Sequence, residues 1–99
     1  MKFNEEINMR WVFDLDGTLV DTKGSDYKNS TPIPKAVAKV QEYKRRGDHI
    51  IIMTARGSGS KTDWRKFTEQ QLKDFGIPFD HLIVGLKPGG VDVFVDDKA

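Results

Sequence analysis

Asp14 and Asp16 stand one residue apart at the end of the apolar run Trp11-Val12-Phe13, with Gly17 and Thr18 directly behind them. Carboxylates this close repel each other unless a cation or a shared proton comes between them. Towards the other end of the chain, Asp96 and Asp97 follow the run Val91-Asp92-Val93-Phe94-Val95. If the two runs are parallel neighbouring strands, four carboxylates converge on one edge of a sheet, at the carboxyl ends where open α/β sheets place their ligands. An oxygen-only donor set without Cys or His suits a hard cation, Mg2+ first. The plainer alternative is that each aspartate caps a turn or a helix.

The elements that must position these groups alternate between strand and helix patterns. Arg10 to Phe13 reads as a first, buried strand, and Gly17 ends it. Asp21 to Thr31 is polar and reads as a loop or a short flap, too small to be a second domain. Pro32 and Pro34 bracket a helix start, and Ala36, Val37, Val40 and Tyr43 recur at helical spacing to about Arg46. Lys44-Arg45-Arg46 read as the solvated last turn of that helix, with Gly47 as its stop. Ile50-Ile51-Ile52-Met53 is the clearest strand, β-branched and apolar, and it runs into Thr54-Ala55-Arg56-Gly57 and a glycine-serine loop to Lys61. Thr62 or Asp63 caps a second helix, whose Trp64, Phe67, Gln71 and Phe75 share one side and read as helix core beside Leu72. Gly76 and Pro78 stop it; Leu82-Ile83-Val84 is a short strand, and a turn over Gly85 to Gly90 leads to the last strand. This order predicts an α/β fold, a three-layer Rossmann-like sandwich around a small parallel sheet with right-handed helical crossovers. His49 and His81 have no further His or Cys nearby in the sequence and read as structural or solvent-facing.

Composition narrows the setting. The 99 residues make one small domain, and a chain of this size can fold without staples. It has no Cys, which excludes disulfides and thiolate chemistry and permits a reducing compartment. Met1 to Glu6 lack the apolar run of a signal peptide, and no apolar segment approaches membrane-spanning length, so a cytoplasmic protein without membrane contact is expected. Sixteen basic and 15 acidic residues leave a net charge of +1, so there is no global pull towards nucleic acid.

Four motifs in order resemble those of the haloacid dehalogenase superfamily of phosphohydrolases, over Val12 to Asp97: Asp14-Leu15-Asp16-Gly17-Thr18, then Thr54, then Lys87 followed by Pro88, and finally Asp96-Asp97. The wording of Thr54-Ala55-Arg56-Gly57, Asp63-Trp64-Arg65, Gly76-Ile77-Pro78 and Val95-Asp96-Asp97-Lys98-Ala99 is similar to the small capless phosphatases associated with capsule and surface-polysaccharide biosynthesis. The resemblance implies a haloacid dehalogenase-like fold without a cap domain, and a phosphomonoesterase. Asp14 would be the nucleophile that forms an aspartyl-phosphate, and Asp16 the general acid and then the base. Because residues i and i+2 of a strand face the same side, both could address one phosphoryl group. Thr54 and Lys87 would bind the phosphate, with backbone N–H groups of Gly17, Thr18, Ala55 and Arg56 completing a cradle. Mg2+ would be held by Asp14, the backbone carbonyl of Asp16 and Asp96, with Asp97 acting through water or by orienting Asp96.

The substrate implied is a small-molecule phosphate ester, first a sugar phosphate of polysaccharide assembly. The loop from Arg56 to Lys61 and the helix after it also look similar to polynucleotide-end phosphatases, so a nucleotide or polynucleotide end is the alternative. A non-catalytic phosphate-binding module on the same fold is a third reading. Lys23, Tyr27, Arg56, Lys61 and Arg65 are the candidates for setting specificity at an open site, although each taken singly reads first as solvent-facing. The family pattern usually continues past its fourth motif, whereas Ala99 stands two residues after Asp97, so a truncated chain, or a sheet edge covered by a second copy or a partner, is expected.

Overall fold

The computed structural model describes residues 9–57 and 62–85. Three strands, β1 (Arg10–Asp14), β4 (His49–Thr54) and β5 (His81–Val84), form a parallel sheet in the order β1-β4-β5. Between them run the hairpin strands β2 (Val20–Asp21) and β3 (Thr31–Pro32) and the helices α1 (Pro34–Arg45) and α2 (Arg65–Asp74). The fold is therefore α/β and Rossmann-like around a small parallel sheet.

The strand order explains where the helices lie. Each crossover, β1-α1-β4 and β4-α2-β5, steps the same way across the sheet, so two crossovers of one hand put both helices on one face. In register, Trp11 pairs with Ile50, Phe13 with Ile52, and Ile52 in turn with Leu82, and these residues point to that face. They join Val37 and Val40 of α1 and Leu72 of α2 in one buried core. Tyr43 closes it by stacking on Trp11, with ring centroids 3.9 Å apart and planes nearly parallel. A Gln41 side-chain N–H donates to the Gly76 carbonyl at 2.8 Å and ties α1 to the end of α2. The other layer of the expected three-layer sandwich has no element among the described residues.

Local chemistry sets the helix ends. Pro34 opens α1, where its missing N–H has no helical partner to lose. The helix ends at Arg45 with Arg46 as its cap, and Gly47 follows with φ of 95°, a conformation other residues adopt only under strain. Helix α2 starts later than Thr62 or Asp63: Trp64 is its flanking residue, and the Asp63 carboxylate accepts the Arg65 N–H at 3.1 Å from one position further out. Asp21 to Thr31 forms a flap. Its base is the antiparallel pairing of β2 with β3, and a short 3-10 turn over Tyr27–Asn29 forms its tip. Among the described residues no helix is long and apolar enough to cross a membrane.

Candidate active site

Strand β1 ends at Asp14, and Asp14 pairs in register with Met53, so Thr54 lies one step further along the adjacent strand. Asp14 is half-buried, and one carboxylate oxygen accepts the Leu15 N–H at 2.9 Å. Burial pushes its carboxyl above the ordinary value; the Leu15 hydrogen bond opposes this, and the neighbouring Asp16 charge reinforces it. No described cation compensates.

Asp16 reaches the same edge by a route that strand alternation does not supply. The chain leaves the strand after Asp14 and turns tightly: the N–H groups of Thr18, Leu19 and Val20 all donate to the Leu15 carbonyl, and Gly17 N–H donates back to Val20 at 2.7 Å. Gly17 has φ of 90°, which the turn demands. The Asp16 carboxylate is then fixed by four hydrogen bonds from three side chains. Arg56 donates Nη2 to Oδ1 at 2.7 Å and Nε to Oδ2 at 3.0 Å. The Thr22 hydroxyl donates to Oδ1 at 2.7 Å and itself lies 2.6 Å from the Ser30 hydroxyl. The Thr54 hydroxyl reaches Oδ2 at a long 3.4 Å.

Asp14, Asp16 and Thr54 are thus brought together as expected, while several neighbours differ from expectation. Arg56 is 1% exposed, so it is neither solvent-facing nor at the surface as a specificity residue. The amide cradle is largely committed elsewhere: Gly17 and Thr18 spend their N–H groups inside the turn, and Arg56 N–H donates to Thr54 Oγ1 at 3.2 Å. Tyr27 sits with its ring 4.6 Å from the Arg56 guanidinium and edge-on to Trp64. Trp64 and Phe67 are half-buried and stay outside the main core, because α2 turns Leu72 rather than these aromatics to the sheet. Arg65 donates to the Leu82 carbonyl at 2.9 Å, so it is partly committed to the β5 backbone. Lys23 is exposed on the flap. Lys61, Lys87, Asp96 and Asp97 lie outside the described residues.

Thr22, Ser30 and Thr68 complete the site's hydrogen bonding and carried no sequence signal, being single hydroxyl residues in polar surroundings. A groove of about 660 Å³ opens elsewhere, between the C-terminal turns of α1 and α2, lined by Gln41, Lys44, Lys73, Ile77 and Pro78 among others. Among the described residues its lining holds no carboxylate, and it lies at the opposite end of the sheet.

No family model and no curated protein matches the chain. The crystal structure of a target protein from Vibrio cholerae is similar in fold, with a TM-score of 0.65 and 28% identity over 90% of this chain and 79% of that one.

Proposed function

We propose that the protein is a cytoplasmic, Mg2+-dependent phosphomonoesterase of the haloacid dehalogenase type. The observation that carries this reading is the grouping of Asp14, Asp16 and Thr54 at the carboxyl edge of a parallel sheet, with Asp14 half-buried and without a described counter-charge. Asp14 attacks phosphorus, the bond to the leaving oxygen breaks, and Asp16 delivers a proton to that oxygen. Water then attacks the aspartyl-phosphate, Asp16 takes its proton, and inorganic phosphate leaves. The Thr54 hydroxyl, held weakly in the free protein, turns its hydrogen to a phosphate oxygen.

The donor chemistry fits Mg2+, since Asp14 offers hard oxygen in a place where burial and Asp16 disfavour its charge. Asp14 and the Asp16 carbonyl would hold the ion, with Asp96 and Asp97, and it would screen the approach of carboxylate to phosphate. A sugar phosphate remains the first substrate. A nucleotide or polynucleotide end is the second reading, favoured by one observation: Tyr27, Trp64 and Phe67 form a half-buried aromatic group beside Arg56, outside the core.

The test is phosphate release from sugar phosphates, nucleotides and 3′- or 5′-phosphorylated oligonucleotides, with Mg2+ and with EDTA. Mg2+-dependent release is expected, and the best substrate chooses between the two readings. A folded protein that releases phosphate from none of them is a binding module instead.

A further inference from the structure

We infer that Arg56 is a positioning residue, which holds the Asp16 carboxylate in the one orientation that proton transfer to a leaving oxygen requires; this rests on the phosphatase reading above. Arg56 is 1% exposed, and all three of its guanidinium nitrogens are engaged. Nε and Nη2 grip the two oxygens of Asp16, and Nη1 donates to Thr68 Oγ1 of α2 at 3.2 Å. The Tyr27 ring of the flap covers the guanidinium at 4.6 Å, and the Tyr27 carbonyl is held by the Gln71 side chain at 2.8 Å. One cation thus joins the turn after β1, the end of β4, α2 and the flap.

Burying a guanidinium is costly, and a buried ion pair adds little net stability over apolar packing of the same volume. What it adds here is geometry. A bidentate pair fixes the plane of the carboxylate as well as its place, which a point charge such as Lys cannot do. The Thr22 hydroxyl holds Oδ1 from the flap side, so Asp16 is set between two fixed donors. A direct phosphate-binding role is disfavoured by the same facts, because the guanidinium nitrogens are committed and shielded.

The role is read by leaving-group dependence. A misaligned general acid hurts esters whose alkoxide must be protonated as it leaves, and spares esters whose leaving group departs as a stable anion. Arg56→Gln and Arg56→Lys are compared with the unaltered chain on glycerol 2-phosphate and on p-nitrophenyl phosphate, after near-UV circular dichroism confirms the fold. For Arg56→Gln, kcat/KM, which reports the steps up to loss of the leaving group and not the later attack of water that Asp16 also assists, is expected to fall about 100-fold on glycerol 2-phosphate and less than about 5-fold on p-nitrophenyl phosphate. Arg56→Lys, which keeps the charge without the fork and serves if Arg56→Gln does not fold, shows the same bias at smaller size. In an Asp16→Asn background Arg56→Gln adds almost nothing, as expected of groups that act as a unit. Equal losses of kcat/KM on both esters, or full multiplication of the two losses, overturn the role of Arg56 and leave the phosphatase reading standing. No release from either ester by the unaltered chain overturns the phosphatase reading, and the role of Arg56 with it.

Discussion

Among the described residues two aspartates stand at each end of the sheet, and the surroundings of the amino-end pair are the opposite of those of Asp14. At the amino end, Asp48 precedes β4 and Asp80 precedes β5. Asp48 is 3% exposed and accepts the Trp11 indole N–H at 2.8 Å, the Met9 N–H at 3.1 Å and Arg46 at 2.7 Å. Asp80 accepts the Ile50 N–H at 2.7 Å and Lys44 at 2.6 Å. Burial alone would raise both carboxyls, yet the hydrogen bonds and the adjacent cations outweigh it and hold both below the ordinary value. At the carboxyl end, burial of Asp14 meets only one opposing hydrogen bond, and its carboxyl lies above the ordinary value. Position at a strand end therefore does not mark a reactive carboxylate. What sets Asp14 apart is that the fold leaves its charge uncompensated, whereas Asp48, Asp80 and Asp16 are each supplied with donors and a cation.

Exchanging the roles of the two ends is the most severe test. Asp14→Asn keeps the shape and removes the nucleophile, so phosphate release is expected to vanish, while the thermal midpoint stays level or rises slightly because an uncompensated charge has gone. Asp48→Ala should do the reverse. It strands the buried Trp11 N–H and the Met9 amide and should cost about 2–4 kcal/mol in denaturant unfolding, with kcat on any accepted ester unchanged. Strong residual turnover in Asp14→Asn, or lost turnover in folded Asp48→Ala, would break the distinction.

The same contrast fixes the sign of the acid response. Asp48 and Asp80 titrate lower in the folded state than in the unfolded chain, so their contribution is complete above the ordinary carboxyl value. It is lost as pH falls through that value towards their folded ones. Asp14 works the other way, since protonation relieves it as pH falls through its raised value. Unfolding followed from neutral pH downwards should show stability falling on the acid side, and Asp48→Asn should flatten that fall. An unchanged slope in Asp48→Asn would remove Asp48 from the account.

A cation should stabilise only the carboxyl end. Mg2+ at about a hundred times its dissociation constant adds about 2.7 kcal/mol to a protein that binds it only when folded. Thermal shift with MgCl2 is expected to raise the midpoint of the unaltered chain and of Asp48→Asn, but not that of Asp14→Asn. A rise retained in Asp14→Asn would place the ion elsewhere.

Much of the scaffold could be read from the chain because its signals are local. Ile50 to Met53 is an unbroken β-branched and apolar run, and Val37, Val40 and Tyr43 repeat at helical spacing before a glycine stop, so β4 and α1 fall where expected. Asp14, Asp16 and Thr54 could be named for the same reason, each sitting beside a strand end. What escaped depends on distant partners. Arg56 looked solvent-facing because its glycine-serine surroundings are those of a loop, whereas its partner Asp16 lies 40 positions away. Strand alternation placed Asp16 for the wrong reason, since the strand ends at Asp14 and a turn with an arginine clamp sets its orientation. Trp64 and Phe67 have helical spacing, but spacing does not say that Leu72 and Thr68 take the buried side of α2.

The smallest effect separates the two halves of the Asp80 site. Its carboxylate does two things at once: Oδ2 accepts the Ile50 amide inside the fold, and Oδ1 meets Lys44 at a partly exposed surface. An exposed ion pair contributes little once side-chain entropy and screening are counted, so Lys44→Gln should cost less than about 0.5 kcal/mol, and the cost should shrink further in high salt. Asp80→Ala removes the amide acceptor as well and should cost about 1–2 kcal/mol. Equal costs for the two variants would mean that the cation, and not the backbone hydrogen bond, is what holds the amino end of the sheet.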